Sequence, residues 1–292
     1  IAGADIDMIK NFEDKSKLKD VCMHAHHFFD EIKKSNLPFV AAINGATLGG
    51  GLEWAMYCDY RVATTNKKTI FGLPEVKLGL MPGMAGTYHL PQLIGYQESL
   101  GTILTGKNIR PDKAKKIGLI DQLVDPASLE KVAVESAKGL ANGSIKSRRR
   151  KLSWLDWFLE KTPFGKKMMF DKAKQMVDKT GGHYPAPYAI LDVLQENMGK
   201  SRMTHLEDEA KKFSELAATN VSEALIGIFH GTTAVKKHNY GEPKKEVETV
   251  AVLGAGLMGA GIAQVSADQG KCKVLLKDKF EQGAANGMKG IQ

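Results

Sequence analysis

Two glutamates stand at the ends of glycine-rich turns. Glu53 closes Asn44-Gly45-Ala46-Thr47-Leu48-Gly49-Gly50-Gly51-Leu52-Glu53. Glu75 closes Phe71-Gly72-Leu73-Pro74-Glu75, ahead of Met81-Pro82-Gly83. A pair of carboxyl groups lets one activate water while the other supplies a proton. Glycines let backbone N–H groups approach a substrate oxygen and stabilise negative charge developing there. The chemistry this pattern suits is the addition of water to a polarised double bond. Taken alone, the triple-glycine run also reads as a tight helix start or a flexible turn, and each glutamate as an ordinary surface residue.

A second constellation lies near the C-terminus. Thr249-Val250-Ala251-Val252-Leu253 reads as a buried strand, and Gly254-Ala255-Gly256-Leu257-Met258-Gly259 follows it directly. A helix should open near Leu257, and the next strand, Lys273–Lys277, ends in Asp278 about 20 residues after the last glycine. In this context the glycines form a dinucleotide fingerprint. Gly254 permits the tight turn, Gly256 lets the backbone approach a pyrophosphate, and Gly259 lets helix and strand pack closely. The helix N-terminus favours phosphate charge. Asp278 would bind the ribose hydroxyls, which favours NAD over NADP.

The elements that must position these groups follow from the apolar pattern. Phe39-Val40-Ala41-Ala42-Ile43 is a short buried strand entering an Asn-Gly turn. Gly51–Tyr57 should be helical, and a second strand should lie near Tyr60–Ala63. This alternation implies an α/β layer structure with catalytic groups on loops. From about Ser99 to Leu123 the pattern is helical, broken at Thr105-Gly106-Lys107 and turning into a strand after Gly118-Leu119-Ile120-Asp121. From about Pro126 to Lys245 it is mostly helical and polar. Within that stretch, Lys146–Lys151 is a basic run expected at the surface. Gly181–Pro187 reads as a loop, Leu206–Lys237 as two linking helices, and Tyr240-Gly241-Glu242-Pro243 as a hinge.

On Ile1-Ala2-Gly3-Ala4-Asp5-Ile6, the triple-glycine segment and Leu73-Pro74-Glu75, in that order, the chain resembles the enoyl-CoA hydratase (crotonase) family. Tyr184-Pro185-Ala186-Pro187 and Gly254–Gly259 extend the likeness to bifunctional β-oxidation subunits that join a hydratase to a 3-hydroxyacyl-CoA dehydrogenase. The resemblance implies a crotonase-type ββα spiral over 1–125, truncated at its start. A helical extension and linker would occupy 126–245, and the start of a Rossmann-type NAD-binding domain 246–292. It implies a coenzyme A thioester substrate, with hydration of trans-2-enoyl-CoA to 3-hydroxyacyl-CoA. The N–H groups of Ala4 and Gly50 would form the oxyanion hole. Glu75 would activate water, and Glu53 would share in holding it and deliver the proton. Members that only move a double bond generally need one glutamate, so two favour hydration. A thiolase beta subunit as partner, a mitochondrial matrix location and association with the inner membrane are implied in the same way. The dehydrogenase's histidine–glutamate pair has no counterpart in residues 1–292. The chain therefore reads as a fragment of such a subunit, with hydration as its own share of the chemistry. A non-catalytic assembly role beside a thiolase is the alternative. One departure stands out: Met84-Ala85 and Tyr88-His89 replace a Gly-rich pair and Gln-Arg in the family's loop. We read this as repacking of the loop rather than as narrowing of the acyl pocket.

Composition sets bounds. The 292 residues allow about two domains, with 43% apolar and 25% charged residues as in ordinary globular proteins. Cys22, Cys58 and Cys272 lack metal-ligand or disulfide spacing. A net charge of +8 suits anionic partners such as coenzyme A and NAD, and no zinc-finger, RNP or aromatic-basic pattern points to nucleic acid. His24, His26 and His27 fall on different parts of a helix that should be a surface helix rather than a metal site. Trp154, Leu155, Trp157 and Phe158 follow the basic run. They suit an anionic membrane surface or, the blander reading, packing against the body.

Overall fold

The computed structural model describes residues 3, 5–147, 150–179, 182–237, 241 and 245–291. The chain divides into two compact units, 1–236 and 237–292. Ala4, Arg148, Arg149, Gly181 and most of the expected hinge at 240–243 lie outside the described residues.

The first unit begins with helices α1 (Ile6–Asn11) and α2 (Leu18–Lys34). Strand β1 (Val40–Ile43) is a short apolar run that ends at Asn44-Gly45. Gly45, at φ 140°, turns the chain out of one sheet and into β2 (Ala46–Leu48) of another. Helix α3 (Gly50–Tyr57) follows at once, and then the pattern repeats with β3 (Tyr60–Thr64) and β4 (Ile70–Gly72). All strand ladders are parallel. The β1-β3-β5 sheet, with β5 at Gln122–Val124, pairs Val40 with Tyr60 and Val62 with Gln122; β2 and β4 pair Ala46 with Ile70. The result is the ββα spiral expected from the sequence. β2 and β4, at three residues each, are too short to show a period and escaped it.

A buried ion pair fixes the lead-in to β5. Arg61 and Asp121 are 3% and 2% exposed, with Nη2 2.8 Å from Oδ2. Arg61 also donates Nε to the Leu119 carbonyl and Nη1 to that of Cys58, while Asp121 accepts the Arg61 amide. Burying both charges is tolerable because these groups are paired and hydrogen-bonded together. The core around them contains Leu52, Phe71, Leu73, Met81, Ile109 and Ile120, all fully buried.

The stretch after Pro126 is indeed helical, with α4 (Gly86–Ile94), α5 (Tyr96–Ile103) and α6 (Pro111–Ile117) before it. It comprises α7 (Leu129–Ala141), α8 (Trp154–Lys161), α9 (Pro163–Asp178), α10 (Pro185–Glu196), α11 (Arg202–Ala217) and α12 (Asn220–Lys236). These helices belong to the same compact unit as the sheets. α11 packs against α2 and α4, and Leu206 and Ala210 on it are fully buried. The apolar positions of this helix therefore face a core.

Several local expectations are corrected. Pro185-Ala186-Pro187 opens α10 rather than ending a loop, because proline suits the first helical turn, where no amide partner is needed. Arg150 is not a surface residue of the basic run. It lies against Gly95 and pairs with Asp156 and Glu160, each at 2.8 Å. α2 is no plain surface helix either, since His26 is buried with Nδ1 2.9 Å from the Tyr57 hydroxyl. Burial holds that imidazole down at about 4, and so neutral. In α8, Phe158 packs against the core, whereas Trp154 and Trp157 are 80% and 57% exposed.

The second unit is a β-α-β turn: β6 (Thr249–Leu253), α13 (Leu257–Asp268) and β7 (Lys273–Lys277), followed by α14 (Glu281–Lys289). β6 and β7 are parallel, with Val250 beside Val274. Leu253, Leu257, Met258 and Leu275 are exposed.

Candidate active site

An apolar cavity of the first unit, about 400 Å³, is lined by both glutamates together with Gly3, Gly49 and Gly50. Its walls are apolar: Ile6 and Ile9 from α1, Leu18 and Cys22 from α2, Phe213 from α11 and Phe229 from α12. Burial in this wall pushes the Cys22 thiol far above its ordinary range.

Gly49 makes the geometry possible. It has φ 54° and ψ −132°, open to glycine and strained for any other residue. A Cβ there would stand 3.0 Å from Glu75 Oε1. The carboxyl of Glu75 thus lies against the backbone that starts α3. Gly50 is the first residue of that helix, and its N–H has no partner one turn earlier. Gly50 therefore lines the cavity with a donor free for a substrate oxygen. Ala4, the expected second donor, is outside the described residues. Gly3 lines the cavity, and Asp5 caps α1 through its carboxylate.

Glu53 is 2% exposed, and one oxygen, Oε1, accepts the N–H groups of Met84 and Gly86, both at 2.8 Å. Burial raises its proton affinity, and the two amides oppose the rise. Glu75 opens a 3₁₀ turn, Glu75–Leu78, that Gly79 ends in a left-handed conformation. α12 braces the turn: Ser222 Oγ donates to the Leu78 carbonyl at 3.0 Å, and a Cβ on Gly79 would meet Ser222 Cα at 2.9 Å. Glu75 Oε2 is buried without a hydrogen-bond partner. Burial, then the charge of Glu53, holds Glu75 well above the usual carboxylate range. The structure thus gathers Glu53, Glu75 and Gly50 in one cavity.

A third glutamate was not among the expected site residues. Glu209 of α11 is fully buried; its Oε1 accepts the Ala85 amide at 2.6 Å, and its Oε2 accepts the Thr87 amide at 2.9 Å and the Thr87 hydroxyl. A signal for it exists in the sequence. It falls on the same helical stripe as Leu206, Ala210 and Phe213, where a charge is out of place.

The loop Met84–Thr87 also corrects the reading of its substitutions. Met84 lines the cavity, so the change from a small residue reaches the pocket wall as well as the loop's own packing. Ala85 is buried at φ 72°, a conformation that glycine adopts more easily.

In the second unit, Gly254 has φ 100°, and a Cβ on Gly259 would stand 1.7 Å from the Gly254 carbonyl oxygen. Only glycine fits at 259 in this turn. Gly256 sits at the N-cap of α13 with open space where a side chain would be. Asp278 accepts the Ala255 amide at 2.6 Å and the Lys279 amide at 2.7 Å, and the first of these chiefly lowers its proton affinity. An ionised acid at the rim of a glycine-lined turn fits a dinucleotide. Among the described residues no cluster of histidine, cysteine and acid side chains has metal-binding geometry, and no helix is long and apolar enough to cross a membrane.

Comparisons with known proteins complete the picture. Residues 1–176 match the family described as enoyl-CoA hydratase/isomerase, and residues 249–292 match the NAD binding domain of 3-hydroxyacyl-CoA dehydrogenase. The chain is 42% identical over 291 residues to the fatty acid oxidation complex subunit alpha of Shewanella sp. (strain ANA-3), a match covering 99% of this chain and 41% of that protein. It is 43% identical over 292 residues to the subunit of the same name from Shewanella frigidimarina (strain NCIMB 400), with the same coverage. The chain therefore spans about two fifths of the length of these relatives. Human mitochondrial delta3-delta2-enoyl-CoA isomerase superposes with a TM-score of 0.54 at 19% identity, covering 81% of this chain and 76% of that one, and shares the fold.

Proposed function

We propose, from the premise that this chain belongs to the enoyl-CoA hydratase/isomerase family, that its first unit adds water to trans-2-enoyl-CoA and yields 3-hydroxyacyl-CoA. The observation that carries the reading is the pairing of two buried carboxyls with different hydrogen bonding beside a free helix-start amide. Glu53, with two amides on one oxygen, is the better anion. Glu75, with an unpartnered buried oxygen, is the one that keeps its proton until it is delivered. This reverses the division of roles expected from the sequence.

The steps follow from that assignment. The thioester oxygen accepts the Gly50 N–H, and the Ala4 amide is the second donor by resemblance. Glu53 takes a proton from water as the water oxygen bonds to the β-carbon. The π electrons of the double bond move onto the thioester as an enolate, whose charge the oxyanion donors stabilise. The enolate then collapses, and the α-carbon takes the proton of Glu75. The elements of water have been added and the glutamates have exchanged one proton, which solvent returns. A vestigial site in an assembly subunit has no need to keep two carboxyls buried at such cost. The test is hydration followed by loss of the conjugated-thioester absorbance. Unimpaired turnover in Glu75→Gln would refute the reading.

The second unit extends it to the relatives' oxidative step. Gly254, Gly256 and the start of α13 would hold the pyrophosphate of NAD, and Asp278 its ribose. Held there, NAD would supply the hydride acceptor for oxidation of a 3-hydroxyacyl group. The resemblance to the mitochondrial trifunctional protein's alpha subunit carries the reading further, to a mitochondrial protein, a thiolase beta subunit as partner and contact with the inner membrane. Exposed Trp154, Trp157 and Phe164 and the net charge of +8 support a membrane contact. Co-sedimentation of the intact protein with anionic vesicles, lost in Trp154→Ala/Trp157→Ala, tests that contact. Co-purification with a thiolase under mild conditions tests the partner.

A further inference from the structure

The mechanism above uses Glu53 and Glu75 and leaves Glu209 without a part, although it is the most enclosed of the three. Its place is unusual. Four consecutive amides, from Met84 to Thr87, point alternately to two carboxylates. Met84 and Gly86 donate to Glu53, and Ala85 and Thr87 donate to Glu209. The Thr87 hydroxyl also donates to Glu209 and lies 2.8 Å from His205 Nε2. The loop is therefore gripped from both sides.

We propose that Glu209 is a positioning residue for hydration, a proposal that rests on the hydratase reading: by holding the amides of Ala85 and Thr87 it turns those of Met84 and Gly86 toward Glu53 and so fixes the Glu53 carboxylate at the double bond. Without that hold, Ala85 is free to leave its left-handed conformation, and the two amides that stabilise the Glu53 anion swing with it.

Glu209 also acts through its charge. The groups that face it are Cys22 on α2, Glu53 and Tyr57 on α3, Glu75 on the 3₁₀ turn, and His205 on its own helix by way of Thr87; His89 of α4 stacks edge-on against Tyr57. Burial keeps His205 down at about 4 and His89 at about 3, and pushes Cys22 and Tyr57 up. Among these groups Glu53 and Glu209 are pushed up to about 7 and about 8, and Glu75 is held well above the usual carboxylate range. An anion at 209 makes Glu75 hold its proton more tightly, so removing it lets Glu75 ionise at lower pH.

The test is Glu209→Gln in the intact protein. Glutamine keeps the shape, loses the charge and turns an N–H₂ toward one of the two amides. We expect kcat for enoyl-CoA hydration to fall about 10–100-fold with KM little changed, the size of effect a small misplacement of a catalytic group produces. We also expect the alkaline limb of the pH–kcat profile, where Glu75 gives up the proton it must deliver, to move to lower pH. A variant that loses thermal stability while keeping the wild-type kcat and alkaline limb would overturn the proposal. Should Glu209→Gln not fold, Thr87→Val serves, since it removes one hydroxyl donor and leaves the backbone amide. A smaller drop in kcat with unchanged KM is expected, and an unchanged kcat counts against the role. Isotope-edited infrared titration of the buried carboxyls separates this inference from the reading beneath it. If the wild type does not hydrate enoyl-CoA, the functional reading fails. The infrared bands still report whether Glu75 titrates at lower pH without Glu209, and unmoved bands sink the inference alone.

Discussion

The two units hold their chemistry in opposite ways. In the second, everything that matters lies within Val250–Asp278, and the decisive contacts are between backbone and backbone or between one acid and a nearby amide. In the first, the site is assembled across the chain: α3 supplies Glu53, a turn supplies Glu75, α11 grips the loop that holds the former, and α12 braces the turn that holds the latter. A local site is specified by a motif and a distributed one by packing. The contrast predicts that damage in the two units differs in kind and stays within its unit.

The largest expected effect is catalytic. Glu75→Gln should lower the rate of enoyl-CoA hydration by about 10²–10⁴-fold, the usual contribution of a general acid or base. NAD binding to the intact protein, measured by calorimetry, should not change, and a parallel loss of both would break the comparison. Next in size is the frame of the first unit. Asp121→Ala leaves Arg61 buried without its partner and should cost about 3–5 kcal/mol in urea unfolding. An exposed ion pair would cost under about 1 kcal/mol, so a small value would mean that β3 and β5 do not depend on it. Gly259→Ala forces a Cβ into the Gly254 carbonyl, a crowding that costs about 1–3 kcal/mol or a displaced turn. NAD affinity should drop sharply, hydration should persist, and Asp278→Ala should weaken NAD binding without unfolding the turn.

The smallest effect concerns pH. The folded protein holds Glu53, Glu75 and Glu209 protonated at a pH where the unfolded chain has released those protons. Their contribution to stability is present below the ordinary carboxylate range and is lost as pH rises through their raised values. His26, His89 and His205 act the other way: their folded values are depressed, and the stability that depends on their neutrality is fully present only above about 6.5. Between pH 7 and 8, below the range of the thiols, the carboxyls dominate, so the urea midpoint should decline gently with rising pH. Glu209→Gln should flatten that decline, and an equally steep one would locate its source elsewhere.

The same contrast explains what could be read from the residues. The glycine turn, β6 and α13 were visible because strand, turn and helix signals adjoin one another. Glu53 and Glu75 were visible because glycine and proline frame them. β2 and β4 were not, since three residues carry no period. Glu209 was hidden in a helix whose alternating charges resemble a linker, and only its place on the apolar stripe betrayed it. Arg150 was masked by its basic neighbours, its acidic partners lying further along the chain.

The alternating amides of Met84–Thr87 give the loop a parity. Even positions serve one carboxylate and odd positions the other. A side-chain exchange leaves that count intact, whereas deleting a single residue between Gly83 and Thr87 hands each glutamate the other's donors. The segment should therefore accept no change of length, and a library of variants should show deletions failing even where a side chain can be exchanged; Gly86, where a Cβ would stand 2.7 Å from Glu53 Oε1, should resist both.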